Sequence, residues 1–131
     1  MKPIVRLGEA ANRGVGVNGG QIPDMTLFTC LKGNYGWQKM PSGVIFQWGY
    51  ASSVGSASGD GIGKYNQFTI PFPSATLVVI CTDSGDVKSN SSGCTNYGIS
   101  KKDNMGFYLA SFRASAPVVS NFTALYIAIG Y

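Results

Sequence analysis

The chain has 131 residues, a formal net charge of +4 and charged side chains at only 12% of positions; that length makes one domain able to bury a real core. It holds no histidine, one glutamate and five aspartates. Ser-His-Asp and Cys-His catalysis and the commonest zinc ligand are therefore absent, and a glycosidase carboxylate pair is poorly supplied. The expectation is a non-enzyme with no catalytic residues, no cofactor and no metal site.

The composition points to an all-β protein. Eighteen glycines and many Ser, Thr and Asn residues set frequent turns, and little in the chain favours helix. The ten cations are spread along the chain, with Lys101-Lys102 the only adjacent pair. No basic cluster is interleaved with aromatics, which argues against nucleic acid. Met1 to Arg6 lacks the apolar core of a secretory leader, and no apolar stretch is long enough to span a bilayer, so no membrane insertion is expected. Cys30, Cys81 and Cys94 make no disulfide framework and are expected as free thiols of a chain folded in a reducing cytoplasm; a Cys81–Cys94 pair across a hairpin stays open.

In chain order, residues 1–35 form an extended, Gly- and Asn-rich lead-in, and residues 36–131 form the β domain. Lys2 to Gln21 is either flexible or an extended segment wrapping neighbouring subunits, the reading preferred here. Glu9 to Asn12 can form one helical turn at most. Pro23-Asp24 is a turn or a short helix start. Pro41-Ser42-Gly43 is turn chemistry. Val44 to Trp48 is a core strand with Val44, Phe46 and Trp48 on one side. Ile45 and Gln47 fall on the other side, and the Gln suggests a face that is partly wet or at a subunit contact. Ala51 to Gly63 is a Ser/Gly loop, either mobile or adapted to recognition.

Gln67 to Pro73 alternates Phe68, Ile70 and Phe72 on one face, and its prolines place it at a sheet edge or end. Leu77 to Thr82 is a buried strand, followed by a polar loop. Asp83 and Asp86 in that loop are loop-shaping residues, or alternatively acceptors for calcium or sugar hydroxyls. Tyr97 to Ser100 is a short strand and Lys101 to Asn104 a turn. Met105 to Ala114 is a long strand with Phe107, Leu109 and Ser111 on one face. The last strand, Phe122 to Tyr131, is expected to be tied into a sheet.

A polar, aromatic-rich, charge-poor β surface suits sugars. Tyrosine rings stack on sugar C–H faces, and Asn, Ser and Asp supply donors and acceptors for the hydroxyls at small cost in side-chain entropy. Tyr50, Tyr65, Asn66, Asn96, Tyr97, Lys101 and Lys102 lie in or beside loops and are the candidate contacts. Packing or interface burial is the competing role for each tyrosine.

Three separated pieces carry a resemblance: Gly-Trp-Gln-Lys-Met-Pro-Ser-Gly-Val-Ile-Phe-Gln-Trp-Gly from Gly36 to Gly49, Phe-Thr-Ile-Pro-Phe-Pro-Ser-Ala from Phe68 to Ala75, and Ala-Leu-Tyr-Ile-Ala-Ile-Gly-Tyr from Ala124 to Tyr131. In this order the chain resembles the C-terminal receptor-binding domain of bacteriophage tail fibres, including those of Mu-like and P2-like phages, prophages and related contractile bacteriocins. The first and last pieces are the specific ones; Met40 and Phe46 are mild apolar departures. The resemblance implies a β-sandwich-like knob in an intertwined homotrimer at the fibre tip of the virion, made in the host bacterial cytoplasm. It implies non-catalytic adhesion to a host surface glycan, typically lipopolysaccharide, and folding with a tail fibre assembly chaperone. It transfers no binding residue, because the matched motifs are framework. The alternative is a trimerisation or assembly module without glycan binding of its own.

Overall fold

The computed structural model describes residues 8–55, 63–84, 95–112 and 123–131. Nine strands follow in order: β1 (Cys30–Leu31), β2 (Gly36–Lys39), β3 (Ile45–Ser52), β4 (Val54–Gly55), β5 (Lys64–Gln67), β6 (Thr76–Asp83), β7 (Asn96–Lys102), β8 (Gly106–Phe112) and β9 (Thr123–Gly130). The helical content of the described residues is two single 3-10 turns, Glu9–Asn12 and Met25–Leu27. Asp24 caps the second, accepting the Thr26 N–H at 2.9 Å.

The strands form two sheets. The first has the order β1-β2-β3-β9-β6, antiparallel throughout. The second is built on β8, which pairs antiparallel with β5 and β7 and parallel with β4. The chain changes sheets between β3 and β4 at Ser53, which is buried and donates its hydroxyl to Ser111 Oγ at 2.9 Å. β2 and β3 form a hairpin whose turn places Gly43 at φ +90°, as its Pro-Ser-Gly chemistry requires. β3 pairs with the final strand along its whole length, from Ile45 opposite Gly130 to Ser52 opposite Thr123. Tyr131 closes the chain, its carbonyl accepting the N–H groups of Ser74 and Ala75 at 2.7 and 2.9 Å.

The core lies between the sheets. Ile45, Ala51, Phe68, Phe72, Phe107, Leu109, Ala124, Tyr126 and Ala128 are buried together. Phe68 sits at the centre, its ring centroid 5.1 Å from Phe72, 5.5 Å from Phe107 and 6.0 Å from Tyr126. These separations are those of favourable aromatic pairs. Small residues of β9 leave room for the rings.

Several expectations are corrected. In β3 it is the Ile45/Gln47 face that is buried, and the Phe46/Trp48 face that is open. Gln47 is 0% exposed, and both ends of its amide find a partner there: Nε2 donates to the Ile70 carbonyl at 2.7 Å and Oε1 accepts the Ile70 N–H at 3.0 Å. Phe68 to Pro73 forms no strand. Prolines 71 and 73 remove ladder donors, and the segment is held instead by Phe68 N–H and Phe72 N–H donating to the carbonyls of Met105 and Asn104, both at 2.8 Å. β6 is a sheet edge rather than a buried strand, with Leu77 and Ile80 exposed and Val79 and Cys81 turned inward. β7 runs on through Lys101 and Lys102, so the turn is confined to residues 103–105.

The lead-in from residue 8 to 29 contains no buried residue; residues 1–7 lie outside the described part. Cys30 is exposed and free; Cys81 is half-buried and free, and burial pushes its thiol up to about 12. Cys94, Asp86 and most of the Ser/Gly loop before Gly63 lie outside the described residues. Among the described residues no helix is long and apolar enough to cross a membrane.

Candidate functional site

The outer face of the second sheet gathers polar and aromatic groups. β8 alternates, sending Phe107, Leu109 and Ser111 into the core and Tyr108 and Ala110 outward. The register sets Tyr65 of β5 beside Tyr108 on one side and Lys101 of β7 beside it on the other. A bulge between Ile99 and Lys101 makes this row possible. Ile99 still faces the core opposite Leu109, and the extra residue brings Lys101 level with Tyr108.

The two tyrosines are held in place. Their ring centroids lie 5.0 Å apart at an interplanar angle of 59°. Tyr65 donates its hydroxyl to Asp103 Oδ1 at 3.2 Å, and the same oxygen accepts the N–H groups of Met105 and Gly106 at 2.7 and 2.8 Å. The Tyr65 ring rests on Gly106, where a Cβ would stand 2.7 Å from the ring and 2.3 Å from the Asn66 carbonyl. Only glycine permits that approach. The Met105 N–H, then the Gly106 N–H, the Tyr65 hydroxyl and the charge of Lys101, hold the Asp103 carboxyl below its usual range. Burial, and then the Asp103 charge, push the Tyr65 phenol up.

Lys101 is exposed, and among the described residues no hydrogen bond or ion pair holds its ammonium group. Beyond Tyr108, Gly98 stands opposite Ala110, and a Cβ on Gly98 would meet nothing within 4 Å. The aromatic pair therefore borders an open floor of small residues.

The seven sequence candidates do not form one cluster. Tyr65 and Lys101 come together in the row just described. Asn66 turns to the other side of β5 and joins the sheets, its amide bonded to the N–H and carbonyl of Ser52 at 2.7 and 2.9 Å and to the Lys64 carbonyl at 3.0 Å. Lys102 donates to the Thr76 carbonyl at 2.7 Å. Tyr97 is half-buried against the core and reaches the Thr123 carbonyl at 3.4 Å. Asn96 is exposed at the far end of β7. Tyr50 lies on the outer face of the other sheet, its ring edge-on to Tyr35 at 5.8 Å.

Tyr108, Asp103 and Gly106 were not among the candidates. The alternation of β8 puts Tyr108 outward, and the Asp103-x-x-Gly106 spacing marks a side-chain-capped turn; their meeting with Tyr65 needs the strand register. Among the described residues no group of three or more His, Cys, Asp or Glu side chains could hold a metal ion.

The outer face of the first sheet differs in kind. Its rungs run Phe46–Ile129–Val78, Trp48–Ile127–Ile80 and Tyr50–Leu125–Thr82 across β3, β9 and β6. Ile80 is 62% exposed and Ile127 55%. A cleft of about 420 Å³ lies over the last two rungs, lined also by Gly33 and Asn34, with no charged side chain on its walls.

Comparison with known proteins places these features in context. A family model described as "Putative tail fiber protein gp53-like, C-terminal" matches residues 39–131. No curated protein matches the chain. The fold is similar to the N-truncated R1-type pyocin tail fiber, with a TM-score of 0.63 at 26% identity, covering 86% of this chain and 89% of that one. It is also similar to the P. aeruginosa R1 pyocin fiber, with the same score and identity, 86% of this chain and 29% of that one. The N-truncated R2-type pyocin tail fiber shares the fold at 17% identity and a TM-score of 0.59, covering 79% of this chain; the match spans 37% of its own length.

Proposed function

The chain belongs to the family of putative tail fiber proteins with a gp53-like C-terminal domain, and from that premise we propose that it is a receptor-contact domain of a phage tail fibre, attaching the virion to a glycan on the host cell surface without catalysis. The observation that carries the reading is the Tyr65–Tyr108–Lys101 row on the outer face of the second sheet. Tyr65, held by Asp103 and Gly106, and Tyr108, packed against the Tyr65 ring, offer a stacking surface, and holding Tyr65 before contact removes part of the entropy cost of binding. Lipopolysaccharide is the receptor class that fits a Gram-negative host and a chain of net charge +4.

In this reading the domain sits at the fibre tip as a homotrimer. The apolar outer face of the first sheet is the surface that neighbouring copies cover. A tail fibre assembly chaperone would shield that face until the copies meet. The pyocin relatives support a fibre context, and the division of faces supports attachment through the second sheet alone.

The test is attachment of the full chain to a panel of Gram-negative cells and their purified lipopolysaccharides. Tyr108→Ala is expected to weaken binding roughly tenfold or more, the usual loss for an aromatic anchor, while the melting temperature stays close to that of the parent. Attachment unchanged in Tyr108→Ala and Tyr65→Ala overturns this site. The apolar face of the first sheet favours one other reading, an assembly module that associates with its own copies and binds no cell. That module would oligomerise and fail every arm of the cell panel.

A further inference from the structure

We propose that the sugar held on the second sheet is acidic: a pyranose carrying a phosphate or carboxylate, its ring against the Tyr65–Tyr108 pair and its charged substituent at Lys101. The inference rests on the reading of this face as the receptor-contact surface and adds the chemical class of the ligand.

Three observations point there. The first is the disposition of charge at the row. Asp103 Oδ1 already serves three donors, the N–H groups of Met105 and Gly106 and the Tyr65 hydroxyl. Lys102 is engaged by the Thr76 carbonyl. Lys101 stands opposite Tyr108 in the register, exposed and held by no hydrogen bond or ion pair among the described residues, with its charge acting on the Asp103 carboxylate beside the row. A face meant only for neutral hydroxyls would be served by amides and hydroxyls; an ammonium adds a point charge that favours an anion.

The second is spacing. Tyr65, Tyr108 and Lys101 occupy successive strands at one register level. Strand separation sets the row at about 10 Å from first to last backbone position. That is room for one sugar ring on the tyrosines and one substituent at the amine.

The third is the cost accepted to put the lysine there. Without the bulge in β7, strict alternation from Ile99 would turn residue 101 toward the core face and residue 100 outward. The irregularity selects Lys101 as the neighbour of Tyr108. Past it, the Gly98 and Ala110 floor stays open for the next residue of a saccharide chain.

The experiment titrates the full chain by ligand-observed NMR with two acidic probes, a heptose phosphate and the methyl glycoside of a ulosonic acid. Each is run beside its neutral counterpart, the free heptose and the ulosonic carboxamide. At least one acidic probe is expected to bind roughly tenfold tighter than its counterpart, the scale of one charge-assisted contact, and the acid preferred names the source. Lys101→Gln should erase that preference, bringing each acidic probe level with its neutral counterpart; Lys101→Arg should keep it. Equal binding of acidic and neutral probes by the parent chain overturns the inference and leaves the attachment reading standing. A preference that survives Lys101→Gln overturns it as well. Failure of all four probes, with Tyr108→Ala cells-binding unchanged, sinks the attachment site and the inference together.

Discussion

Gln47 shows how a single side chain organises a region that has no ladder of its own. The segment from Phe68 to Pro73 carries two prolines and two buried rings, so it enters the core as irregular backbone. Buried backbone groups need partners. Ile70 finds both of its partners on one amide, 23 positions earlier in the chain. Gln47→Ala removes an acceptor and a donor at once and leaves the Ile70 N–H and carbonyl unpaired inside the protein. The expected loss is about 2–4 kcal/mol, measured as a shift of the urea midpoint with unchanged slope. Gln47→Glu should be no better at neutral pH, since a carboxylate there would be buried and cannot donate. A loss below the scatter of surface substitutions would show that the amide is not the support described. This residue also marks a limit of the sequence. Alternation correctly separates Ile45 and Gln47 from Phe46 and Trp48, but an amide looks wet until its distant backbone partner is known. The two faces were therefore assigned in reverse.

At the scale of elements, the hairpin from β7 to β8 couples strand geometry to the candidate site. Its turn is closed by Asp103, whose carboxylate accepts from two backbone N–H groups and from Tyr65. The Asp103 pKa is depressed in the folded chain, first by the Met105 N–H. Its contribution to stability is thus present above the unfolded value of about 3.9 and is lost as pH falls through the lower folded value. Tyr65 runs the other way. Its raised folded pKa gives a contribution present below about pH 10 and lost as pH rises through the folded value. Asp103→Asn should flatten the acid limb of the stability curve, and Tyr65→Phe the alkaline limb, each read from urea midpoints against pH. Parallel curves for parent and variants would deny the linkage. The β8 alternation, the pairing of β3 with the last strand, and the Pro-Ser-Gly turn were legible because each depends on local pattern or on a motif. The bulge in β7 was not. Ser100, Lys101 and Lys102 carry no local sign of which residue is extra, and only the register against β8 settles which lysine stands beside Tyr108.

For the whole molecule, the two outer faces call for different partners. The first sheet exposes three rungs of mostly apolar side chains across β3, β9 and β6, more contiguous apolar surface than single scattered residues explain. The lead-in adds Val15, Val17, Ile22 and Met25, all exposed. If copies of the chain cover these groups, a charge in the middle rung must be desolvated on assembly with nothing to pair it. Ile127→Glu is therefore expected to shift the protein from trimer to monomer in light scattering at micromolar concentration. It should keep the β-sheet circular dichroism of each copy, because residue 127 points away from the core. Tyr108→Ala should do the reverse, leaving the trimer intact and losing attachment. An Ile127→Glu trimer as stable as the parent, or a parent chain that is monomeric throughout, would remove the first sheet from the assembly. The apolar rungs would then need a different occupant, and loss of attachment in Tyr108→Ala alone would still assign recognition to the second sheet.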